Sequence, residues 1–128
     1  MAKKVILVDD SRTILATAEM ALQELIDAQA ITLETYLNPQ EFLDKALAMQ
    51  ADFDLLITDV NMPQMHGLDL ASALKQHVHF KPKPILVLTT ESSADMKARG
   101  KEIGVTGWMV KPFANDKLVK SIKMVLGI

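Results

Sequence analysis

Cysteine is absent from the chain, aromatic residues make up only 5% of it, and glycine and proline number five each. The absence of cysteine excludes a disulfide framework, a cysteine-ligated zinc site and thiol catalysis. No apolar run approaches the roughly 18 residues that a membrane span requires, and the apolar residues after the first four positions are too few for a secretory signal. We therefore expect a cytoplasmic protein without a membrane segment.

Charge is distributed unevenly along the chain. Residues 1–70 carry twelve acidic and four basic side chains, a balance of −8, whereas residues 71–128 carry four acidic and ten basic ones, a balance of +6. This division predicts an acidic site in one part of the chain and a basic partner surface in the other. Nucleic-acid binding is not expected, because the basic residues are spread over half the chain without interleaved aromatic residues.

Hydrophobic periodicity predicts an alternation of strands and helices within one domain spanning residues 1–128. At this length, 49% hydrophobic residues are enough for the core of one domain. Apolar runs predict strands near residues 4–8, 31–36, 53–59, 85–90 and 107–110. Helical spacing predicts five helices near residues 11–26, 39–49, 67–78, 92–103 and 118–126. Such an order is typical of an α/β fold, a doubly wound five-stranded parallel sheet with helices on both faces.

Asp59 closes the third predicted strand, directly after the apolar residues 55–57 and Thr58. In open α/β sheets, ligands bind at the carboxyl ends of the strands, so a carboxylate at this place belongs to a site rather than to the core. The alternative is that Asp59 merely begins a turn before Pro63. The residues at the other strand ends decide between the two interpretations.

Four strand ends bring complementary chemistry to the same edge of the predicted sheet. Besides Asp59 they carry Asp9, Asp10, Thr89 and Lys111. Carboxylates about 4 Å apart repel by about 4 kcal/mol per pair at an effective dielectric constant of about 20, so the three acidic residues require a cation. Oxygen ligands suit Mg²⁺ or Mn²⁺. With a lysine and a hydroxyl nearby, the set predicts a clamp for a phosphoryl group, with a carboxylate as nucleophile.

Four segments, in this order and at these spacings, resemble the receiver domain of bacterial two-component response regulators. Among these the chain is most similar to the single-domain chemotaxis type, which is CheY-like and has a flavodoxin-like fold. The resemblance covers the whole chain. The segments are Val8-Asp9-Asp10-Ser11-Arg12, Asp59-Val60-Asn61-Met62-Pro63 followed by Gly67, Leu88-Thr89-Thr90-Glu91, and Gly107-Trp108-Met109-Val110-Lys111-Pro112-Phe113.

The resemblance implies a role for each residue of the predicted site. Asp59 would accept a phosphoryl group from a phosphohistidine on a sensor histidine kinase. The Thr89 hydroxyl and the Lys111 ammonium would bind the phosphate oxygens. The groups implied to hold Mg²⁺ are Asp10, Asp59, the backbone carbonyl of Asn61 and, in an assisting role, Asp9.

The resemblance also bears on the lifetime of the phosphorylated state and on the shape of one loop. Asn61 and Glu91 occupy the positions that flank the path of an attacking water molecule, where polar groups can orient it. We therefore expect rapid hydrolysis of the phosphoaspartate. Because this family turns its chain sharply before the proline, the Lys111–Pro112 bond is expected to be cis.

Thr89 and Trp108 are the expected switch residues, since the aromatic residue at this place in receivers moves as the hydroxyl shifts toward the phosphate. Most relatives carry Tyr or Phe there. The larger indole, whose N–H needs a partner when buried, is expected to lie more outward in the inactive state. The expected partner face consists of Lys97, Arg99, Lys101, Trp108, Lys117, Lys120 and Lys123.

The favoured function is a phosphorylation-driven switch that changes its affinity for a partner protein and is not an enzyme, apart from its own dephosphorylation. We expect a monomer whose downstream target is a flagellar motor switch or a pilus system. Alternatives are a receiver that serves as a phosphate sink and a receiver cut from a longer transcription factor. A Mg²⁺-dependent aspartyl-phosphate phosphohydrolase is disfavoured, because Asn61 stands where that chemistry has a second aspartate and no insertion supplies a substrate pocket.

Overall fold

The computed structural model describes residues 2–128, and over these residues five parallel strands form one sheet with the order β2-β1-β3-β4-β5. Six helices connect or flank the strands. The bounds of the elements are β1 Lys3–Val8, α1 Arg12–Ala21, α2 Gln23–Asp27, β2 Ile31–Tyr36, α3 Pro39–Leu47, β3 Leu55–Thr58, α4 Gly67–Lys75, β4 Ile85–Thr89, α5 Ala94–Ile103, β5 Gly107–Val110 and α6 Asn115–Leu126. The predicted doubly wound parallel sheet is confirmed.

Both faces of the central strands are buried, which explains their continuous apolar runs. In β1, Ile6 and Val8 belong to the core on one face of the sheet, whereas Val5 and Leu7 belong to the core on the other. The first core contains three phenylalanines, and Phe53 stacks on Phe80 at a centroid distance of 5.3 Å. The alternating strand residues therefore hold one layer of helices on each side of the sheet.

The first predicted helix is interrupted, so the structure has six helices where the sequence predicts five. Leu22 separates α1 from α2, with φ −97° and ψ 4°, and it is fully buried. Its N–H donates to the carbonyls of both Ala18 and Glu19, a shared bond common at helix ends. Periodicity did not predict this break because Leu22 keeps its inward position in the apolar stripe.

Two further expectations concern the backbone and the membrane. The Lys111–Pro112 peptide bond is cis, as expected. Within residues 2–128, no helix is both long and apolar enough to cross a membrane.

Candidate functional site

Sheet register places Asp9 and Asp59 side by side. Val8 pairs with Thr58, so the residues that follow them leave adjacent strands at the same level. The Asp59 N–H donates to the Val8 carbonyl at 3.0 Å, which continues the pairing one residue beyond the strand. Asp9, Asp10 and Asp59 each present an oxygen atom, and these atoms all lie within 4.8 Å of one another.

Lys111 lies between two of these carboxylates. Its Nζ donates to Asp9 Oδ2 at 2.7 Å and to Asp59 Oδ2 at 3.0 Å, and the side chain is only 9% exposed. The Lys111 N–H donates to the Thr89 carbonyl at 2.8 Å, which holds the loop after β5 against the end of β4. The ammonium therefore reaches the acidic cluster from a loop that is tied to a neighbouring strand end.

Burial and charge act in opposite directions on the ionisable groups of this site. Burial raises the pKa of Asp9, although hydrogen bonds from Lys111 and from the Ser11 N–H reduce the effect. Burial alone would lower the pKa of Lys111, but the hydrogen bonds and charges of Asp9 and Asp59 outweigh it and raise that pKa. The lysine is thus held in its charged form as a counter-ion to the carboxylates.

The Asp59 carboxylate is oriented through both of its oxygens. Oδ1 accepts the Val60 N–H at 2.6 Å, and Oδ2 accepts the Lys111 ammonium. The Asp59 backbone lies against the first residue of α4, because a Cβ built on Gly67 would lie 1.8 Å from the Asp59 carbonyl oxygen. The Gly67 N–H also donates to the Val60 carbonyl at 2.8 Å. Asp59 is therefore held between β3 and the start of α4.

The donor set fits a hard divalent cation. Every candidate ligand is an oxygen atom, and three carboxylates with one ammonium leave a formal charge of −2 (three negative, one positive). Asp10 is exposed, so a cation can approach from solvent while Asp9 and Asp59 remain buried. Such oxygen-rich, partly hydrated sites are typical of Mg²⁺.

Comparison with known proteins agrees with this geometry. The family model described as the response regulator receiver domain matches residues 5–123. The chain is 35% identical over 124 residues to the chemotaxis protein CheY1 of Helicobacter pylori, covering 97% of each chain. It is 31% identical over 126 residues to the chemotaxis protein CheY of Pseudomonas aeruginosa, covering 95% of this chain and 94% of that protein. The chain belongs to the response regulator receiver family.

A solved structure supports the same assignment at the level of the fold. The receiver resembles the chemotaxis response regulator CheY4 of Vibrio cholerae with a TM-score of 0.85 and 40% identity, over 98% of this chain and 100% of that one. CheY-like receivers are phosphoacceptor switches: they take phosphate from a histidine kinase, bind Mg²⁺ at an acidic pocket and act on a downstream target. The receiver therefore belongs to phosphorylation-dependent signalling.

Thr89 and Trp108, the two residues expected to act as the switch, are joined through Glu91. Thr89 is fully buried, and its Oγ1 accepts the Glu91 N–H at 3.2 Å. The Trp108 indole N–H donates to the Glu91 carbonyl at 2.9 Å. The Trp108 ring is partly buried and packs on the small core of Val60, Leu68 and Val87. The indole N–H finds a backbone partner in the loop after β4, a contact that sequence spacing does not reveal.

The two remaining residues of the predicted site lie at its edge. Asn61 is exposed in the loop between β3 and α4. Glu91 is partly buried, and its carboxylate Oε1 accepts the Ser93 N–H at 3.2 Å just before α5. The Glu91 side chain is thus engaged with its own loop.

The basic residues of the expected partner face lie on α5 and α6 of the receiver. The six lysine and arginine side chains of the expected partner face are all exposed. Lys120 and Lys123, however, line a groove with Ala21 and Glu24, on the side of α6 that faces the first helices. A separate groove between β5 and α6 is lined by Trp108 among others, without these two lysines. Lys120 and Lys123 therefore lie beside α1 and α2, whereas Trp108 lines the groove on the β5 side of α6.

Two glycines of the receiver matter more than the sequence indicates. In the sequence Gly67 stands out only as part of a motif, and Gly100 is an interior residue of α5. Both are buried, and a side chain at either would meet neighbouring atoms closely. The sequence carries one indication of this. A glycine inside a helix lowers helix stability by about 1 kcal/mol relative to alanine, so its presence indicates that another segment packs closely there.

Proposed function

We propose that the protein is a phosphorylation-activated switch of chemotaxis-type two-component signalling, in which Asp59 is the phosphoacceptor. On this proposal residues 1–128 act as one receiver domain. The observation that carries it is the Lys111 ammonium, which bridges Asp9 and Asp59 beside the exposed Asp10 at the ends of neighbouring strands. This arrangement supports phosphoryl transfer better than a structural ion pair, because it retains excess negative charge near solvent.

The transfer step requires a nucleophile in a fixed orientation. An Asp59 carboxylate oxygen attacks the phosphorus of the donor phosphohistidine, a P–O bond forms, and the P–N bond breaks with its electron pair leaving on the imidazole. The Val60 N–H holds Oδ1, so rotation of the carboxylate is restricted. Catalysis by this chain consists mainly of positioning.

Lys111 and Thr89 would bind the oxygens of the transferred group. The ammonium already lies at Asp59 Oδ2, from which it can move to a phosphoryl oxygen on that carboxylate. The Thr89 hydroxyl accepts the Glu91 N–H, which leaves its own proton available for donation. We propose that this donation draws Thr89 toward the site and is sensed at Trp108.

The groups that would hold Mg²⁺ are Asp9, Asp10, Asp59 and the backbone carbonyl of Asn61, with Mn²⁺ as a substitute. When bound, the ion would neutralise negative charge on the phosphoryl oxygens. The site itself supplies the negative charge that such a cation requires, because its three carboxylates outnumber its one ammonium.

The proposal is tested by phosphorylation with a small phosphodonor and Mg²⁺. Mass spectrometry of the intact protein is expected to show one added phosphate in the wild type and none in Asp59→Asn. Asp69→Asn, which removes an exposed carboxylate on α4, is the matched control and should react like the wild type. Incorporation by Asp59→Asn at the wild-type rate, or no effect of EDTA, would refute the assignment.

We further propose that the phosphoaspartate hydrolyses rapidly by the receiver's own action, with Asn61 and Glu91 flanking the water. The exposure of Asn61 supports this, because water can reach the loop beside Asp59. Asn61→Lys and Glu91→Arg should lengthen the lifetime of the phosphorylated state, since bulky basic groups obstruct the water path. Unchanged lifetimes in both variants would contradict the role.

The proposed phosphodonor is a sensor histidine kinase, and the proposed output is binding to a downstream protein such as a flagellar motor switch. The exposed basic side chains of α5 and α6 support an acidic partner. Charge complementarity mainly accelerates encounter, so association should slow as salt concentration rises. A salt-independent association rate would contradict a basic partner face.

A further inference from the structure

Gly100 lies inside α5, where glycine is the least favourable residue after proline for helix stability. A Cβ built on it would lie 3.0 Å from Trp108 Cζ3, 3.3 Å from Trp108 Cε3 and 3.1 Å from Val105 Cγ2. Two of these three atoms belong to the six-membered ring of the indole. The missing side chain therefore makes room for Trp108.

The indole uses this space to reach a backbone acceptor. Its N–H donates to the Glu91 carbonyl at 2.9 Å, and its ring packs on the small core of Val60, Leu68 and Val87. Val60 follows Asp59 directly, and its N–H holds Asp59 Oδ1. The ring thus packs on the core to which Val60 belongs, while its N–H contacts the loop that follows β4.

The backbone of Glu91 links Trp108 to Thr89 through two hydrogen bonds. The Glu91 carbonyl accepts from Trp108, and the Glu91 N–H donates to Thr89 Oγ1 at 3.2 Å. A hydroxyl that accepts a hydrogen bond on one side has its proton directed elsewhere. A fixed Glu91 backbone therefore orients the Thr89 hydroxyl. Under the proposed function this hydroxyl donates to the phosphoryl oxygens.

We propose that Gly100 is a positioning residue, which holds the Trp108 indole in its inward place and through the Glu91 backbone orients the Thr89 hydroxyl. A methyl group at position 100 would require the indole or Val105 to shift by a few tenths of an ångström, and a larger side chain would require more. The space left by Gly100 therefore matches the large ring of Trp108, and the position of the β4–α5 loop depends on both residues. Only the expected effect on phosphorylation rests on the proposed function; the contacts among the four residues do not.

The test compares Gly100→Val and the milder Gly100→Ala with Ala98→Val, which adds the same side chain at an exposed position of α5. Trp108 is the only tryptophan, so its emission reports the ring directly. In Gly100→Val we expect emission at longer wavelength and a higher acrylamide quenching constant, because a displaced ring is more exposed to water. Ala98→Val should match the wild type.

Amide and indole hydrogen exchange, followed by NMR, tests the link to Thr89 without any phosphodonor. The Trp108 indole N–H and the Glu91 N–H should both exchange faster in Gly100→Val, and phosphorylation by a small phosphodonor should be slower. In a Trp108→Phe background, which removes the fused ring and its N–H, Gly100→Ala should no longer affect Glu91 exchange. This loss of effect distinguishes positioning from general helix destabilisation.

Unchanged emission, quenching and indole exchange in both Gly100 variants would overturn the proposal. Faster indole exchange with an unchanged Glu91 N–H would overturn the link to Thr89. Gly100→Ala provides the same measurements should Gly100→Val fail to fold. A wild-type protein that accepts no phosphate would refute the proposed function alone, since the exchange and fluorescence measurements would still decide the role of Gly100.

Discussion

At the scale of single residues, Gly67 determines how closely α4 approaches the acidic site. The three atoms nearest to a Cβ there would all be backbone atoms: the Asp59 carbonyl oxygen at 1.8 Å, the Asp59 carbonyl carbon at 2.8 Å and the Val60 Cα at 2.9 Å. Backbone cannot rotate away as a flexible side chain can. Even a methyl group at Gly67 must therefore displace the helix from Asp59.

Gly67→Ala is expected to lower the free energy of unfolding by roughly 1–3 kcal/mol or more, the usual cost of overpacking, and to slow phosphorylation by moving Asp59. Urea denaturation and a phosphodonor assay measure the two effects. Gly107→Ala is the matched control, because its Cβ would meet only the Leu86 Cδ2 methyl at 2.8 Å. Equal stability losses in the two variants would contradict this explanation.

At the scale of elements, side chains join the segment after α3 to the segment before β4. Asp52 Oδ1 accepts the Lys83 ammonium at 2.8 Å. His79 Nε2 lies 3.1 Å from Asp52 Oδ2, but its geometry does not make a hydrogen bond, so we regard Lys83 as the main partner. Lys75 donates to the Lys81 and Lys83 carbonyls at 3.2 and 2.7 Å. These contacts fix the amino ends of β3 and β4, opposite the site.

The Asp52 ion pair should make stability depend on pH in the acid range. Burial acts to raise the pKa of Asp52, but the hydrogen bonds from Lys83 and the Phe53 N–H and the charge of Lys83 outweigh it and lower the pKa to about 2. A carboxylate with a lowered pKa stabilises the fold above its ordinary value of 3.8, and this stability is lost as pH falls toward 2. Because the Asp52 side chain is 48% exposed, the contribution is at most about 1 kcal/mol.

Asp52→Asn is therefore expected to be less stable than the wild type near neutral pH, with a difference that shrinks as pH falls from about 4 to about 2. Denaturation curves across this range measure it. Glu102→Gln, at an exposed position of α5, should show no such trend. A difference that is constant with pH would exclude the ion pair as its cause.

At the scale of the whole molecule, the acidic site is a local charge excess that folding creates. Asp9 and Asp59 are buried beside each other, and one lysine balances only part of the charge of the cluster. A cation that binds the folded chain and not the unfolded one stabilises it by mass action, by about 2.7 kcal/mol at a hundredfold excess over its dissociation constant. Binding of Mg²⁺ at the proposed site should therefore increase the free energy of unfolding of the entire protein.

Adding MgCl₂ is expected to raise the thermal unfolding midpoint, whereas NaCl at equal ionic strength should not. In Asp10→Asn the Mg²⁺-dependent increase should fall strongly, because the exposed ligand is lost while Lys111 keeps its two partners. Differential scanning calorimetry at several Mg²⁺ concentrations measures the effect. An increase in Asp10→Asn equal to that of the wild type would contradict the assigned ligand set.

Much of the fold and of the site could be predicted from the sequence, because both depend on local pattern and topology. Apolar runs that are buried on both faces predict parallel strands, and polar residues at the ends of such strands must meet at one edge. Asp9, Asp59 and Lys111 lie together for this reason, without any knowledge of side-chain packing.

The tertiary structure decided which distant groups contact each other. The acceptor of the Trp108 N–H lies 17 residues away at Glu91, and Gly67 and Gly100 are required by neighbours that periodicity does not identify. The helix break at Leu22 could not be predicted, because the apolar stripe continues through this residue. Periodicity specifies the face on which a residue lies, whereas close packing between elements specifies what it touches, and only the folded chain determines the latter.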